Sequence, residues 1–310
     1  MSQPVQLRIA TRQSRLALWQ AQHVASLLRT AHPHVEVLLV PMTTQGDRIQ
    51  DRTLAAVGGK GLFIKELEIA LSENRADIAV HSMKDVPSEL PADMTLAAML
   101  ARADPRDAFV SQRYASFEQL PFGARVGTSS LRRQSQLLHA RKDLTVIPLR
   151  GNVETRLRKL EEGQCDATIL AAAGLIRLGL GDRIAHYLDF ELSVPAVGQG
   201  IIGIECRLAD TRSIELVEAL NDATAAHCCE AERAFARHLE GSCQSPIAGF
   251  AELTGDELEL RGVIGSIDGR TIYRGAGKGP KHKAHDIGVE LAERLLKAGA
   301  EQLLRELRGV

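Results

Sequence analysis

Four segments of this chain place cationic side chains beside hydroxyl or amide groups directly after short apolar runs. Thr11-Arg12-Gln13-Ser14 follows Ile9-Ala10, and His81-Ser82-Met83-Lys84-Asp85 follows Ile78-Ala79-Val80. Thr128-Ser129-Ser130-Leu131-Arg132-Arg133 follows Val126-Gly127, and Arg150-Gly151-Asn152 follows Ile147-Pro148-Leu149. In open α/β sheets ligands bind beyond the carboxyl ends of the strands, where such segments fall. A hydroxyl at a helix start caps free amides, and the same amides can bind an anion. A guanidinium fork matches carboxylate or phosphate. For one segment alone a plain cap is the ordinary reading. Four in one chain favour a cleft for a small ligand with several anionic groups, and these residues by themselves do not separate carboxylate from phosphate.

Asp85 is a carboxylate among cations. It is either the ion-pair partner of Lys84 or an arginine, or a group that shuttles a proton or stabilises positive charge on a ligand. Cys243 stands in Glu240-Gly241-Ser242-Cys243-Gln244, just past a helix that Gly241 can end. Its thiol is either exposed and reactive on a loop or buried and inert. Gly58-Gly59-Lys60-Gly61 lacks the spacing of a phosphate-binding loop and reads as a flexible segment. His227, Cys228 and Cys229 are consecutive on a helix and cannot all face one ion, so no metal site is expected.

The elements that must hold these groups follow from the apolar pattern. Strands are expected at Val5 to Ala10, Val35 to Pro41, Asp77 to Val80 and Met94 to Leu100, with helices over Ser14 to Thr30 and Leu62 to Asn74. After the turn-rich Ala103-Asp104-Pro105-Arg106, strands recur at Ala108 to Ser111, Ala124 to Gly127, Leu144 to Pro148 and Ala167 to Leu170 with helices between. Ile201 to Cys206 is a further strand that can return to the first unit. From Asp222 the order changes to one long helix, three strands (Ile247 to Leu253, Leu258 to Ile264, Thr271 to Gly275) and one helix from Ala284 to Leu307. The division expected is residues 1–102 with 200–219, residues 103–199, and residues 220–310.

Composition narrows the function. With 310 residues, 45% hydrophobic and 25% charged, the chain has the balance of a folded protein with more than one core. The longest apolar run, Ala167 to Ile176, is about half of what a membrane-spanning helix needs. The N-terminus lacks the order of a secretion signal, so the cytoplasm is the expected location. Five scattered cysteines give no disulfide framework or zinc motif. The basic residues are mostly arginine, yet the net charge is -1 and one Trp with three Tyr leaves few stacking platforms, which argues against nucleic acid.

Taken in order, Ile9 to Ser14, Val57 to Phe63, Ala79 to Pro87, Asp104 to Val110, Gly127 to Gln134, Leu149 to Val153, Pro195 to Gly200 and Glu240 to Gln244 resemble the porphobilinogen deaminase family. The likeness runs from about Leu7 to the C-terminal helix. It implies an α/β protein with two lobes of mixed sheets like those of periplasmic binding proteins, and a C-terminal α+β domain with a three-stranded sheet. The implied activity joins four porphobilinogen molecules head to tail, releasing ammonia, to give hydroxymethylbilane for haem and other tetrapyrroles. It uses a dipyrromethane primer held covalently by a cysteine, which by position is Cys243. The resemblance makes Asp85 the catalytic acid and gives carboxylate binding to Arg12, Arg132, Arg133, Arg150, Arg156 and Arg177. Ser14, Ser82, Lys84, Thr128, Ser129 and Ser130 would add hydrogen bonds, Phe63 would cover the pyrrole site, and Gln199 would lie at the hinge. It also implies a monomer. Three positions depart from the family pattern: Ala56 where several relatives have lysine, Arg15 where proline is common, and Ser242 where glycine often precedes the cysteine. The rival reading is an anion-binding module without catalysis, since two lobes also suit simple ligand capture.

Overall fold

The computed structural model describes residues 5–48, 61–241 and 245–308. Three parallel strands, Val35–Met42, Val5–Arg12 and Ile78–Ser82, lie side by side in that order. Ile202–Arg207 comes back antiparallel beside Ile78–Ser82 and pairs on its other edge with Met94–Met99. The second sheet repeats the plan. Thr145–Ile147, Arg125–Gly127 and Ala167–Ala171 are parallel, Asp107–Val110 runs antiparallel to them, and the short strand His186–Tyr187 closes the edge.

Burial explains why the central strands are so apolar. Ile78, Ala79 and Val80 are covered on both faces, as a strand flanked by crossover helices must be. One covering helix, Arg15–Ala31, buries Ala17, Ala21, Val24, Ala25 and Leu28, a stripe at helical spacing. Ala21, Val24, Ala25 and Leu28 join Leu7, Ile9, Val35, Val37 and Ile204 in the main core of the first lobe. The second lobe centres on Phe109, Val126, Leu137 and Ile169.

The expected third unit is a helix, Ala223–His238, followed by the antiparallel strands Ile247–Thr254, Glu257–Gly265 and Ile272–Pro280. Helix Ala284–Leu295 packs on this sheet through Ile287, Leu291 and Leu295. Two details differ from the sequence expectation. The last strand continues to Pro280 because its glycines alternate with outward residues and hide the period of two. The final helix is interrupted at Gly299, whose φ of 116° lies outside helical space, and restarts as Glu301–Arg308. Two short elements were not anticipated. One is the strand His186–Tyr187; the other is the helix Thr211–Glu218, opened by Asp210, which accepts a hydrogen bond from the Ser213 amide at 3.0 Å.

The three units meet at a buried acid. Glu232, on helix Ala223–His238, accepts hydrogen bonds from Arg102 at 2.6 Å, from the Gly198 amide at 2.6 Å and from the Ala251 amide at 2.8 Å. Arg102 and Gly198 lie on the two chain segments that cross between the lobes, so one carboxylate ties both crossings to the third sheet. Among the described residues no helix is long and apolar enough to cross a membrane.

Candidate active site

Helix starts aim at the space between the lobes. Ser14 caps helix Arg15–Ala31 by accepting from the Ala17 amide at 3.4 Å, and Ser130 caps Leu131–Ala140 by accepting from the Arg133 amide at 3.4 Å. Asn152 caps Val153–Glu161 more tightly, at 2.8 Å to the Thr155 amide. All three caps belong to the lining of a cleft of about 580 Å³. Capping and lining the ligand space therefore coincide at the same residues.

Among the described residues, Arg12, Lys84, Arg132, Arg133, Arg150, Arg156 and Arg233 line this cleft, against two carboxylates, Asp85 and Glu154. Phe63, Ser14, Ser129, Ser130 and Gln199 line it as well. The Arg12 guanidinium lies 4.4 Å from the centre of the Phe63 ring and 3.7 Å from the Asp85 carboxylate. Asp85 sits on the short turn Met83–Asp85 that ends the central strand of the first lobe.

The arginines divide into two groups. Arg132 and Arg133 are buried, and their donors are directed at Asp107: Arg132 at 2.8 Å, Arg133 at 2.6 Å. Ser193 and Gln199 donate to the same carboxylate at 2.8 and 3.0 Å. Burial alone would raise the Asp107 acid, but the two guanidiniums more than offset it and hold the carboxyl far below the usual range. Arg150 and Arg156 differ: among the described residues neither forms a salt bridge, and Asp85 acts on Arg156 only at longer range. Nη1 of Arg150 is buried without a hydrogen-bond partner, and Arg156 donates Nε to the Gly151 carbonyl at 2.8 Å. Burial, helped by Arg133, pushes the Arg156 guanidinium down to about 10.

Three expected contacts are held elsewhere. Ser82 exchanges hydrogen bonds with buried Gln20, at 2.8 and 3.2 Å. Thr128 is buried and its hydroxyl accepts from the Ser130 amide at 3.2 Å, which shapes the turn. Arg177 donates to the Gly200 carbonyl at 2.7 Å and lies over the Trp19 ring, with burial lowering it to about 10. None of these three is in the cleft lining. Cys243 and Ser242 lie outside the described residues, as does Ala56; Gly241 and Ser245 both line the cleft. Arg15 reaches Glu154 of the other lobe at 3.5 Å.

Sequence reasoning did not single out Asp107, Gln20 or Arg233. Each interrupts an apolar pattern: Asp107 begins the run Ala108-Phe109-Val110, Gln20 falls on the buried stripe of its helix, and Arg233 lies on the buried face of Ala223–His238. A polar residue on a buried face needs a partner inside the protein, and that was the available signal.

The imbalance of charge says what the cleft can hold. Desolvated cations without acids are costly, so the site favours a ligand that brings several anionic groups. A small ligand carrying several carboxylates meets that need, and Arg150 Nη1 is a buried donor open to such a group. Lys84 gives a titratable readout. Its ammonium makes no hydrogen bond with a described residue, and burial first, then Arg133, lowers it from 10.5 to about 8. A bound carboxylate raises it again, so binding takes up a proton above about pH 8. The KM for a carboxylate-bearing substrate is expected to climb as the pH passes upward through 8, and Lys84→Met should flatten the climb. Steady-state kinetics from about pH 7 to 9.5 measures this; an identical climb in Lys84→Met sinks the assignment.

Comparison with known families places these observations. The family model described as porphobilinogen deaminase, dipyromethane cofactor binding domain, matches residues 7–215. The model of the porphobilinogen deaminase C-terminal domain matches residues 226–297. Among solved structures, the chain is similar to the periplasmic VFT2 domain of Bordetella pertussis BvgS, at 16% identity over 70% of this chain and 86% of that one, with a TM-score of 0.42. A periplasmic substrate-binding protein of an ABC transporter from Coxiella burnetii matches at 15% identity, 69% and 91% coverage and a TM-score of 0.45. A nutrient binding protein from Burkholderia cenocepacia bound to methionine matches at 14% identity, 69% and 91% coverage and a TM-score of 0.44. The strand order described above, rather than these distant likenesses, defines the two lobes.

Proposed function

The chain belongs to the porphobilinogen deaminase family, and on that premise we propose that Asp85 drives each condensation while Cys243 anchors the primer. The reaction joins four porphobilinogen molecules head to tail, with loss of ammonia, to give hydroxymethylbilane. A dipyrromethane cofactor supplies, when bound, the nucleophilic pyrrole carbon to which substrate units are added.

The chain's own residues supply charge and position. Porphobilinogen brings an acetate and a propionate into a cleft where Arg150, Arg156 and Lys84 lack acidic partners at hydrogen-bond distance. Fixing those groups orients the pyrrole and its aminomethyl arm. As the carbon–nitrogen bond breaks and ammonia departs, positive charge spreads to the ring nitrogen of the resulting azafulvene. Asp85 is the carboxylate that accepts the ring N–H and offsets that charge, with Arg12 at 3.7 Å holding it in place. The ring that forms the new carbon–carbon bond would regain its aromaticity by losing the proton on its attacking carbon, which the released ammonia can take up. Phe63, stacked under Arg12, is suited to cover the ring and keep water from the electrophile. Arg132 and Arg133 contribute as a pair fixed by Asp107, which keeps two positive charges at the cleft wall in one geometry.

The observation that carries this reading is the excess of cations around a single acid on the turn Met83–Asp85. The finer organisation follows from it. Residues 1–102 with 200–219, 103–199 and 220–310 form the three domains, in keeping with the three sheets, each of which draws its strands from one of these ranges. The enzyme works as a monomer and without nucleic acid, the latter in keeping with a net charge of -1. A cytoplasmic location suits Cys165, Cys206, Cys228 and Cys229, which are free and buried.

Intact-protein mass spectrometry tests the proposal. The active protein should exceed its sequence mass by two pyrrole units and gain further single units when substrate is limiting. An unmodified mass in protein that turns over would refute covalent priming.

A further inference from the structure

Asp85 is carried by a turn that has little structure of its own, and what holds that turn comes from elsewhere in the chain. On one side Met83 packs against Gly198 of the interlobe crossing, where φ is +70° and an added Cβ would fall 2.6 Å from that of Met83. On the other side the chain continues through Val86, Pro87 and Ser88, all at the cleft wall. Helix Ala223–His238 of the third unit meets it there. Arg233 donates to the Ser88 carbonyl at 3.1 Å and to the Val86 carbonyl at 3.4 Å. Arg237 donates to the same Ser88 carbonyl through Nε at 3.2 Å and Nη2 at 3.0 Å. Four residues apart, the two side chains share one face of the helix.

We propose that Arg233 and Arg237 form a positioning clasp that fixes the Asp85 turn to the helix that precedes Cys243 in the chain. This inference rests on the assignment of Asp85 as the acid. Three features support it. Arg233 is buried and lines the cleft, yet its hydrogen bonds among the described residues go to main-chain carbonyls, the acceptors that set backbone position. Guanidinium donors make charge-assisted hydrogen bonds, stronger than the neutral ones usual in a turn. The helix also carries Glu232, which holds Arg102 and the Gly198 amide, so one helix grips the Asp85 turn from the Ser88 side and the Gly198 segment behind it. The clasp works through the main chain that follows Asp85. It acts by keeping the Asp85 carboxylate in register while successive rings are added.

A double-mutant cycle between the clasp and the acid tests this, read as kcat and KM on enzyme whose cofactor loading has been checked by mass. Arg233→Met keeps the length of the side chain and removes its donors. It is expected to lower kcat roughly ten- to a hundredfold, the loss that a misplacement of about 1 Å can cause, with KM within about twofold of wild type. In the Asp85→Asn background the same change should add almost nothing, because the group it positions is gone. Arg237→Gln, on the exposed end of the clasp, should lower kcat about threefold with the same pattern and serves if Arg233→Met does not fold. Losses that multiply in the double variant, or an unchanged kcat in the single ones, overturn the clasp and leave Asp85 in its role. Wild-type turnover in Asp85→Asn alone overturns the acid and the clasp with it.

Discussion

Asp85→Asn is expected to lower kcat by roughly 10²–10³-fold, the range found when a group that stabilises transition-state charge is removed. Asparagine keeps nearly the same shape and one acceptor oxygen but carries no charge. Its cost in stability should be small, since the Asp85 side chain is 32% exposed and the pair with Arg12 is long, at 3.7 Å. The KM should stay within about threefold of wild type, because substrate carboxylates meet the arginines and not Asp85. The decisive comparison is turnover against the urea midpoint of the same protein. A large loss of turnover at an unchanged midpoint supports a chemical role. Turnover near that of wild type would remove Asp85 from the mechanism and return the site to plain anion binding.

The second large effect concerns a residue outside the described structure. Cys243→Ser replaces the thiol with a much weaker nucleophile and should leave the protein without its covalent primer. Intact mass should fall to that of the bare chain, and turnover by at least roughly 10²-fold. The fold should persist, because the described cores draw on other residues. The primer-free cleft should then show its charge imbalance as lower stability at low salt, where repulsion among Arg150, Arg156 and Lys84 is least screened. Full activity with no adduct would separate catalysis from Cys243. Substitution of Cys165, Cys206, Cys228 or Cys229 should leave the adduct in place, since burial raises these thiols, Cys229 to about 12 and Cys206 and Cys228 to about 11.

The local pattern of the chain carried most of the architecture. Ile78-Ala79-Val80 reads as a buried strand because it is apolar on both faces, and Ser14, Ser130 and Asn152 read as helix starts because short polar side chains cap free amides. The glycines of Ile272–Pro280 concealed the second half of a strand expected to end at Gly275, since glycine adds nothing to an alternating pattern. Gly299 broke a helix that the apolar spacing alone would have continued.

The sequence by itself determined the chemical types at the cleft and their places at strand ends, because those depend on neighbours a few residues away. It could not decide which cations stay available to a ligand. Arg132 and Arg150 look alike in the sequence, yet Arg132 faces Asp107, twenty-five positions away, and Arg150 leaves a buried nitrogen without a partner. Ser82 and Arg177 likewise meet Gln20 and Gly200 through contacts between distant segments. The charge on a side chain is a property of its type, whereas its compensation depends on what the folded chain brings within about 3 Å. The arginines and hydroxyls at the strand ends were therefore legible from the start. Their division into those bound to Asp107 and those left open around Asp85 was decided by the tertiary structure.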